Sequence, residues 1–571
     1  MDGSKLTRRD LLAYSGVALS LLSIVKPTAA LAAQTPPTPA PARATSPGFT
    51  YVYQLPGVDP QITPQIATST ANMFDWGDGT YTIWTDPQND HLLFSQLVTF
   101  ALDGTLMPNL ATAWTASPDA SRYHFDLNPA ATWHDGTPFT AADVEFTFKA
   151  ALRKETKSVI GSLANLDNIQ GGAAWADGSA DSLPGLIIND DHSIDIQLAT
   201  PDSTLLPNLA QVNIFAAHVF DGVAYADLQN DPHSTTQWVG TGPFKLTGFV
   251  PNQYVTLAAH QPYHLGTPDI QSWTLNYYGS EQADKTTAAA AVESGDIQVM
   301  FNPQGATYDH LKTLPDGKFI GGPVLFSNDV SFNLRSPTLQ DKRVRQAFIY
   351  ALDRAALLSA FFPDRARLVN AAMKQDTWRN TDLDGLYPYD PAKARQLLQA
   401  ANWDASKELN FITYYTDQNS KDLMAALQQA WQDVGIKIKI TFQDTATFVP
   451  AFYQRGEYDV AYIGGTGGYD PDALRPYFAS DQLYPKGYNA AAYANPQVDD
   501  LFRQGKQTTV YADRKKVYDQ LQAILADDCV WAPLWEPYRF AFTTKQVGNL
   551  TYIQQWFGRS CEKWFINQNA G

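Results

Sequence analysis

An α/β chain of two or three domains is predicted by three features. These are its length, the helix–glycine–strand steps of its second half, and the short alternating strands of its first half. At 571 residues it is longer than one hydrophobic core organises. Hydrophobic residues make up 44% and charged residues 17%, a globular balance. Aromatic residues reach 12%, enough to furnish both a core and an aromatic-lined pocket.

The N-terminus reads as an export signal. "TRRDLLAYSGVALSLLSIVKPTAALAA" pairs Arg8 and Arg9 with an apolar run from Val17 to Val25 and a small-residue end at Ala30-Leu31-Ala32. That run is shorter than the roughly 20 residues a membrane span needs. Residues 1–32 are therefore expected to be a twin-arginine signal peptide, and 33–48 a Pro-rich linker. No cysteine lies near the cleavage point, so no lipid anchor is expected. The net charge of −17 disfavours nucleic acid, whose phosphates call for basic grooves.

In the first half, "SRYHFDL" and "HSIDIQL" alternate as half-buried strands do. Thr140 caps a helix with Val144, Phe148 and Leu152 on one face. In the second half, "DKRVRQAFIYALDRAALLSAF" predicts one long helix carrying Val344, Ala347, Phe348, Ala351, Leu352 and Ala355 on its apolar face. Asp390 and Pro391 open a helix with Ala394, Leu397, Leu398 and Ala401 in a stripe. A further helix stops at Gly435 before a strand alternating Ile436, Ile438 and Ile440. "RKKVYDQLQAIL" is helical, and "VWAPLWEPYRFAF" follows as an aromatic strand.

Catalytic signatures do not appear. There is no G-x-S-x-G, H-E-x-x-H or C-x-x-C, and no histidine has a second ligand at metal spacing. Asp75, Asp78 and Asp86 lack calcium-loop order, so a turn is expected there. His134-Asp135 lies in a D-G turn, where a structural role is expected. Carboxylates meeting in the fold, as in a glycosidase, stay open to sequence reasoning. Cys529 and Cys561 are equally open to a disulfide or to two buried thiols.

"YDVAYIGGTGGYDPD" puts Gly464, Gly465, Gly467 and Gly468 directly after a strand. A phosphate loop would add a Lys and a hydroxyl, whereas this loop supplies Asp470 and Asp472. Bare backbone suited to a ligand's own polar groups remains, beside the plainer reading of a turn.

Several ordered stretches resemble the extracytoplasmic solute-binding proteins of family 5, the oligopeptide/dipeptide/nickel group serving ABC importers. They are "MPNLATAWTASPDASRYHFDLNPAATWHDGTPFTAADVEFTFKAAL", "VGTGPFKL", "FNLRSPTLQDKRVRQAFIYALDR", "YPYDPAKARQLLQAANWD" and the segment from "NPQVDDLFRQG" to "EPYRFAF". The resemblance spans about residues 50–545. It implies a two-lobed periplasmic-binding-protein fold, type II and like the three-domain cluster C proteins, with a ligand cleft between the lobes. It divides the chain into domain I (49–90, 200–325 and 536–571), an inserted domain II (91–199) and domain III (326–535). "GTGPF" and "WHDGTPF" recur in members with unrelated ligands and are expected to be scaffold.

In that family's peptide binders the loop before the D/E-P pair carries a Trp and an inner Asp that binds the peptide ammonium. Alignment on Asp470-Pro471 puts Gly464 at the Trp and Gly467 at the Asp. The Tyr469-Asp470-Pro471 run is similar to that of the nickel-chelate members. Ligand contacts are thus expected from Ile463, Gly465, Thr466, Gly467, Tyr469 and Asp470, with main-chain pairing from Ile463 and Gly465. Further candidates are Asn333, Arg335, Trp378, Tyr415, and Trp531 or Trp535. The expected function is solute capture for a membrane permease by a monomer without cofactor or catalysis. A peptide is the default ligand, an oligosaccharide or other ring-bearing polar solute the rival, and a secreted carboxylate hydrolase the alternative of a different class.

Overall fold

The computed structural model describes residues 91–566 apart from 102, 159, 251–252, 279–285, 304, 485 and 552–559, together with 65–68 and 83. The export signal, the linker and Asp75, Asp78 and Asp86 lie outside the described residues. A twelve-stranded mixed sheet runs through both lobes. In the second lobe its path is Lys437–Phe442, Glu408–Thr413, Val460–Thr466 and Phe326–Phe332. It continues through the long strand Trp531–Thr544 into Val299–Phe301, Gln65–Thr68, Ser272–Tyr277, Tyr254–Ala259 and Phe244–Val250 of the first lobe. A separate four-stranded antiparallel sheet holds Ala111–Ala116, Arg122–Leu127, Ser193–Gln197 and Leu186–Asp190.

Trp531–Thr544 joins the lobes. Its first half pairs with Phe326–Phe332, its second with Gly317–Pro323 and Val299–Phe301. Gly317–Pro323 and Phe326–Phe332 are separated only by Val324 and Leu325, so a second crossing lies antiparallel to the first. In the second lobe, the two sheet faces bury separate clusters. Val460 and Tyr462 belong to one, Ala461 and Ile463 to the other, as a period of two requires.

Thr140 and Asp143 form the capping box of helix Ala141–Leu152. Asp390 caps Pro391–Ala400, and Asp417 caps Gln418–Asp433. The long helix predicted from residue 341 onward is two helices, Lys342–Tyr350 and Arg354–Phe361. The Asp353 carboxylate accepts from the Ala356 amide and starts the second one, a role Asp fills better than a helix interior. The phase then shifts, leaving Ala355 exposed. Arg354 is buried instead, donating to the Leu386 and Tyr387 carbonyls. Cys529 and Cys561 do not pair. Both are buried thiols, one in the core of each lobe.

His134 and Asp135 point apart. Asp135 meets His218 at 2.7 Å, while His134 Nδ1 accepts from the Gly240 amide and Nε2 donates to the Gly242 carbonyl. The "WHDGTPF" turn therefore holds the "GTGPF" turn through a neutral imidazole, and burial pushes His134 down to about 3 from 6.5. The unfolded chain takes up this proton first. The contribution of His134 to stability is thus complete above pH 6.5 and is lost as pH falls toward 3. Urea midpoints measured across that window should fall with pH, and His134→Gln should flatten the slope; an unchanged slope contradicts this role.

Candidate functional site

The glycine strand Val460–Thr466 pairs along its whole length with Phe326–Phe332. On its other side, Glu408–Thr413 accompanies it only from Val460 to Tyr462. Beyond Tyr462 one backbone edge has no strand beside it among the described residues. The Gly467 amide donates to the Leu325 carbonyl, and the Asn333 amide to the Asp459 carbonyl. Antiparallel alternation then turns the main-chain groups of Ala461, Ile463 and Gly465 toward Phe326–Phe332. Those of Gly464 and Thr466 face the other way, where the Gly464 amide donates to the Tyr414 hydroxyl at 3.4 Å and no strand pairs with them among the described residues. The main-chain groups of Ile463 and Gly465, expected to meet a ligand, are used within the sheet.

Two of the glycines answer to close packing. A Cβ on Gly464 would fall 2.1 Å from the Phe326 ring, and one on Gly465 2.1 Å from the buried Asp329 carboxylate. Gly467 differs. Its nearest neighbours would be the Leu325 carbonyl at 3.2 Å and the Lys374 side chain at 3.7 Å.

Tyr415 and Trp535 lie on the Gly464 face, joined through Asn328. Asn328 donates to the Tyr415 hydroxyl at 3.0 Å and accepts from the Trp535 indole at 3.2 Å. Tyr414 stacks on Tyr415 at 4.5 Å. Tyr469 instead stacks on Phe100 of the first lobe at 4.3 Å, within that lobe's core. Asp470 is held by a two-pronged ion pair with Arg514 at 2.7 and 2.9 Å. Trp378 packs 5.1 Å from the same guanidinium. Asn333 and Arg335 lie at the far end of their strand, bonded to the carbonyls of Gly456, Tyr458 and Ala490. Trp531 packs among Phe452, Tyr477 and Phe478.

The lobes meet on both sides of the loop. Gln375 donates to the Asp103 carbonyl at 2.9 Å. Lys506 reaches Asp472 at 2.9 Å and Asp202 at 3.4 Å, and the Ser203 amide donates to the Lys506 carbonyl. Beside this latch runs a groove of about 780 Å³ with Asn165, Asp167 and Asp202 on one wall and Arg475, Asp481 and Arg503 on the other.

Sequence reasoning missed the buried charges behind the loop. Asp329, Lys374 and Glu536 are all at least 96% buried, and Ser327 donates to Asp329. Burial pushes Glu536 up to about 7 despite its 2.6 Å ion pair with Arg367. The same desolvation pushes Asp329 up and the Lys374 ammonium down. The buried polar run Ser327-Asn328-Asp329 within strand Phe326–Phe332 holds one member. Nothing in "AAMKQD" marks Lys374 as buried. Among the described residues no group of His, Cys, Asp and Glu is arranged to hold a metal.

Comparison with known proteins places these features in a family. Residues 105–484 match the model of the bacterial extracellular solute-binding proteins, family 5. A Brucella ovis protein assigned as an ABC transporter peptide-binding protein is 29% identical over 78% of this chain and 82% of its own length. Heme-binding protein A of Haemophilus influenzae is 26% identical over 82% and 85% of the two chains. The crystal structure of the ABC transporter substrate-binding protein CtaP from Listeria monocytogenes superposes with a TM-score of 0.76 at 23% identity. That likeness covers 89% of this chain and 99% of that one.

Close packing makes a mutational expectation. Gly465→Ala must displace Asp329 and should cost about 1–3 kcal/mol of stability, whereas Gly467→Ala should cost well under that. Denaturant midpoints of both variants check the ordering, and equal losses would contradict it.

Proposed function

The chain belongs to the bacterial extracellular solute-binding proteins of family 5, and from that premise we propose that it captures a peptide or peptide-like solute between its lobes. It is the substrate-binding component of an ABC importer. The observation that carries the peptide reading is the outward-facing main chain of Gly464 and Thr466 at the lobe junction. A peptide adds to such an edge as an extra strand, with main-chain hydrogen bonds supplying affinity. The stacked Tyr414 and Tyr415 beside it favour a second reading, a ring-bearing solute such as an oligosaccharide.

The rest of the proposal follows from the sequence. Residues 1–32 direct export by the twin-arginine route, and the protein works outside the cytoplasm as a monomer, with no catalysis and no nucleic-acid partner. Arg8-Arg9, the acidic balance and the lack of a catalytic motif support these points. The division into 49–90, 200–325 and 536–571, an inserted 91–199, and 326–535 belongs to the same reading.

Native mass spectrometry of the protein as purified, followed by thermal shift with di- to pentapeptides and with oligosaccharides, tests the ligand class. A ligand at 100 times its Kd should stabilise the folded protein by about 2.7 kcal/mol. Stabilisation by oligosaccharides alone would overturn the peptide reading, and turnover of a bound solute would overturn the absence of catalysis.

A further inference from the structure

Both carboxylates that follow the glycines are held by cations of the second lobe, and both cations reach the first lobe. Asp472 meets Lys506 at 2.9 Å, and the same ammonium lies 3.4 Å from Asp202 across the lobe boundary. Asp470 is paired with Arg514, whose Nε donates at 2.8 Å to the Gly505 carbonyl. That carbonyl also accepts the Ser203 hydroxyl of the first lobe at 3.2 Å, and the Ser203 amide donates to the Lys506 carbonyl at 2.9 Å. Asp202 is 4% exposed, and its own lobe meets its carboxylate through Asn165 and Thr204. Lys506 is thus one cation between two largely buried carboxylates, one on each lobe. Burial pushes its ammonium down, and Asp472 and Asp202 more than offset this, holding it above its ordinary value.

We infer that Lys506 is a positioning residue for solute binding: it ties the loop carboxylate Asp472 to Asp202, so that closing the lobes and setting the glycine loop are one event. This deepens the solute-binding reading above and rests on it. With the lobes apart, Lys506 keeps Asp472 and loses both Asp202 and Ser203. An ion pair made in one of two states shifts the population toward that state, and a solute held between the lobes gains from the shift. Affinity then depends on a side chain remote from the outward-facing edge of Gly464 and Thr466. Without the cation, Asp202 and Asp472 face each other at a boundary with little water, where like charges repel strongly. Loss of Lys506 therefore drives the lobes apart instead of merely removing one contact.

Hydrogen exchange at the Ser203 amide reads the boundary directly, because its acceptor belongs to the other lobe. In the full protein, Lys506→Met should speed exchange there at least about tenfold, as loss of one member of a buried ion pair implies. Lys506→Arg, which keeps the charge, should stay near the wild-type rate. Adding Asp472→Asn to Lys506→Met should restore much of the protection, because it removes the repulsion with Asp202. Amides of the helix Tyr511–Asp528 should keep their rates throughout, which separates opening of the lobes from loosening of the second one. Should Lys506→Met not fold, Lys506→Gln takes its place with the same expectations. Saturating trialanine should slow Ser203 exchange in the wild type and dissociate faster from Lys506→Met.

Faster Ser203 exchange in Lys506→Met, with no response of either protein to trialanine, upholds the role of Lys506 and counts against the peptide reading. Unchanged Ser203 exchange in Lys506→Met or Lys506→Gln, equal acceleration in Lys506→Arg, no recovery with Asp472→Asn, or acceleration shared by the Tyr511–Asp528 amides overturns the inference and leaves the peptide reading intact.

Discussion

A single strand, Trp531–Thr544, belongs to both lobes, and the rest of the architecture depends on it. Its partners change from Phe326–Phe332 to Gly317–Pro323 along its length, so the lobes share one hydrogen-bonded ladder instead of a loose linker. Such a connection restricts relative motion to bending about the two crossings, the hinge type of domain closure. Polar and aromatic contacts among the described residues also join the lobes, among them Gln375 to Asp103, Tyr469 on Phe100, Ser203 to the Lys506 carbonyl, and Lys506 between Asp472 and Asp202.

The glycine strand lies beside that hinge and inherits its constraints. Phe326 fills the space on one face at Gly464, Asp329 the space on the other at Gly465. Both come from the neighbouring crossing strand, so the loop's backbone is fixed by the element that also carries the hinge. On the proposed reading, recognition is built on a strand with little freedom. Pre-organisation of this kind lowers the ordering cost of binding.

Much of this was legible in the sequence. The capping residues Thr140 and Asp390, the stop at Gly435 and the ordered family stretches fixed the elements and their succession. Asp353 was legible too, as a capping residue, but the apolar spacing around it masked the break and misassigned Ala355. What the sequence could not convey was register. A one-residue change in pairing exchanges which groups of a strand are used within the sheet; here those of Ile463 and Gly465 face Phe326–Phe332, and those of Gly464 and Thr466 face the other way. Tyr469, Asp470 and Trp378 were reasonable aromatic and acidic candidates. Their partners Phe100 and Arg514 are hundreds or tens of residues away, and only the fold reveals them. Lys374 has no signal in the sequence, because buried lysines are rare and carry no local signature.

On the proposed reading, the solute meets the outward-facing main chain of Gly464 and Thr466. Hydrogen exchange of the Val460–Asp470 segment, resolved by residue with and without the solute identified by mass spectrometry, tests it most directly. Binding should slow exchange at the Gly464 and Thr466 amides. Ile463 and Gly465, already bonded within the sheet, should change little. Protection confined to Ile463 and Gly465, or no protection anywhere in the segment on saturation, would contradict it.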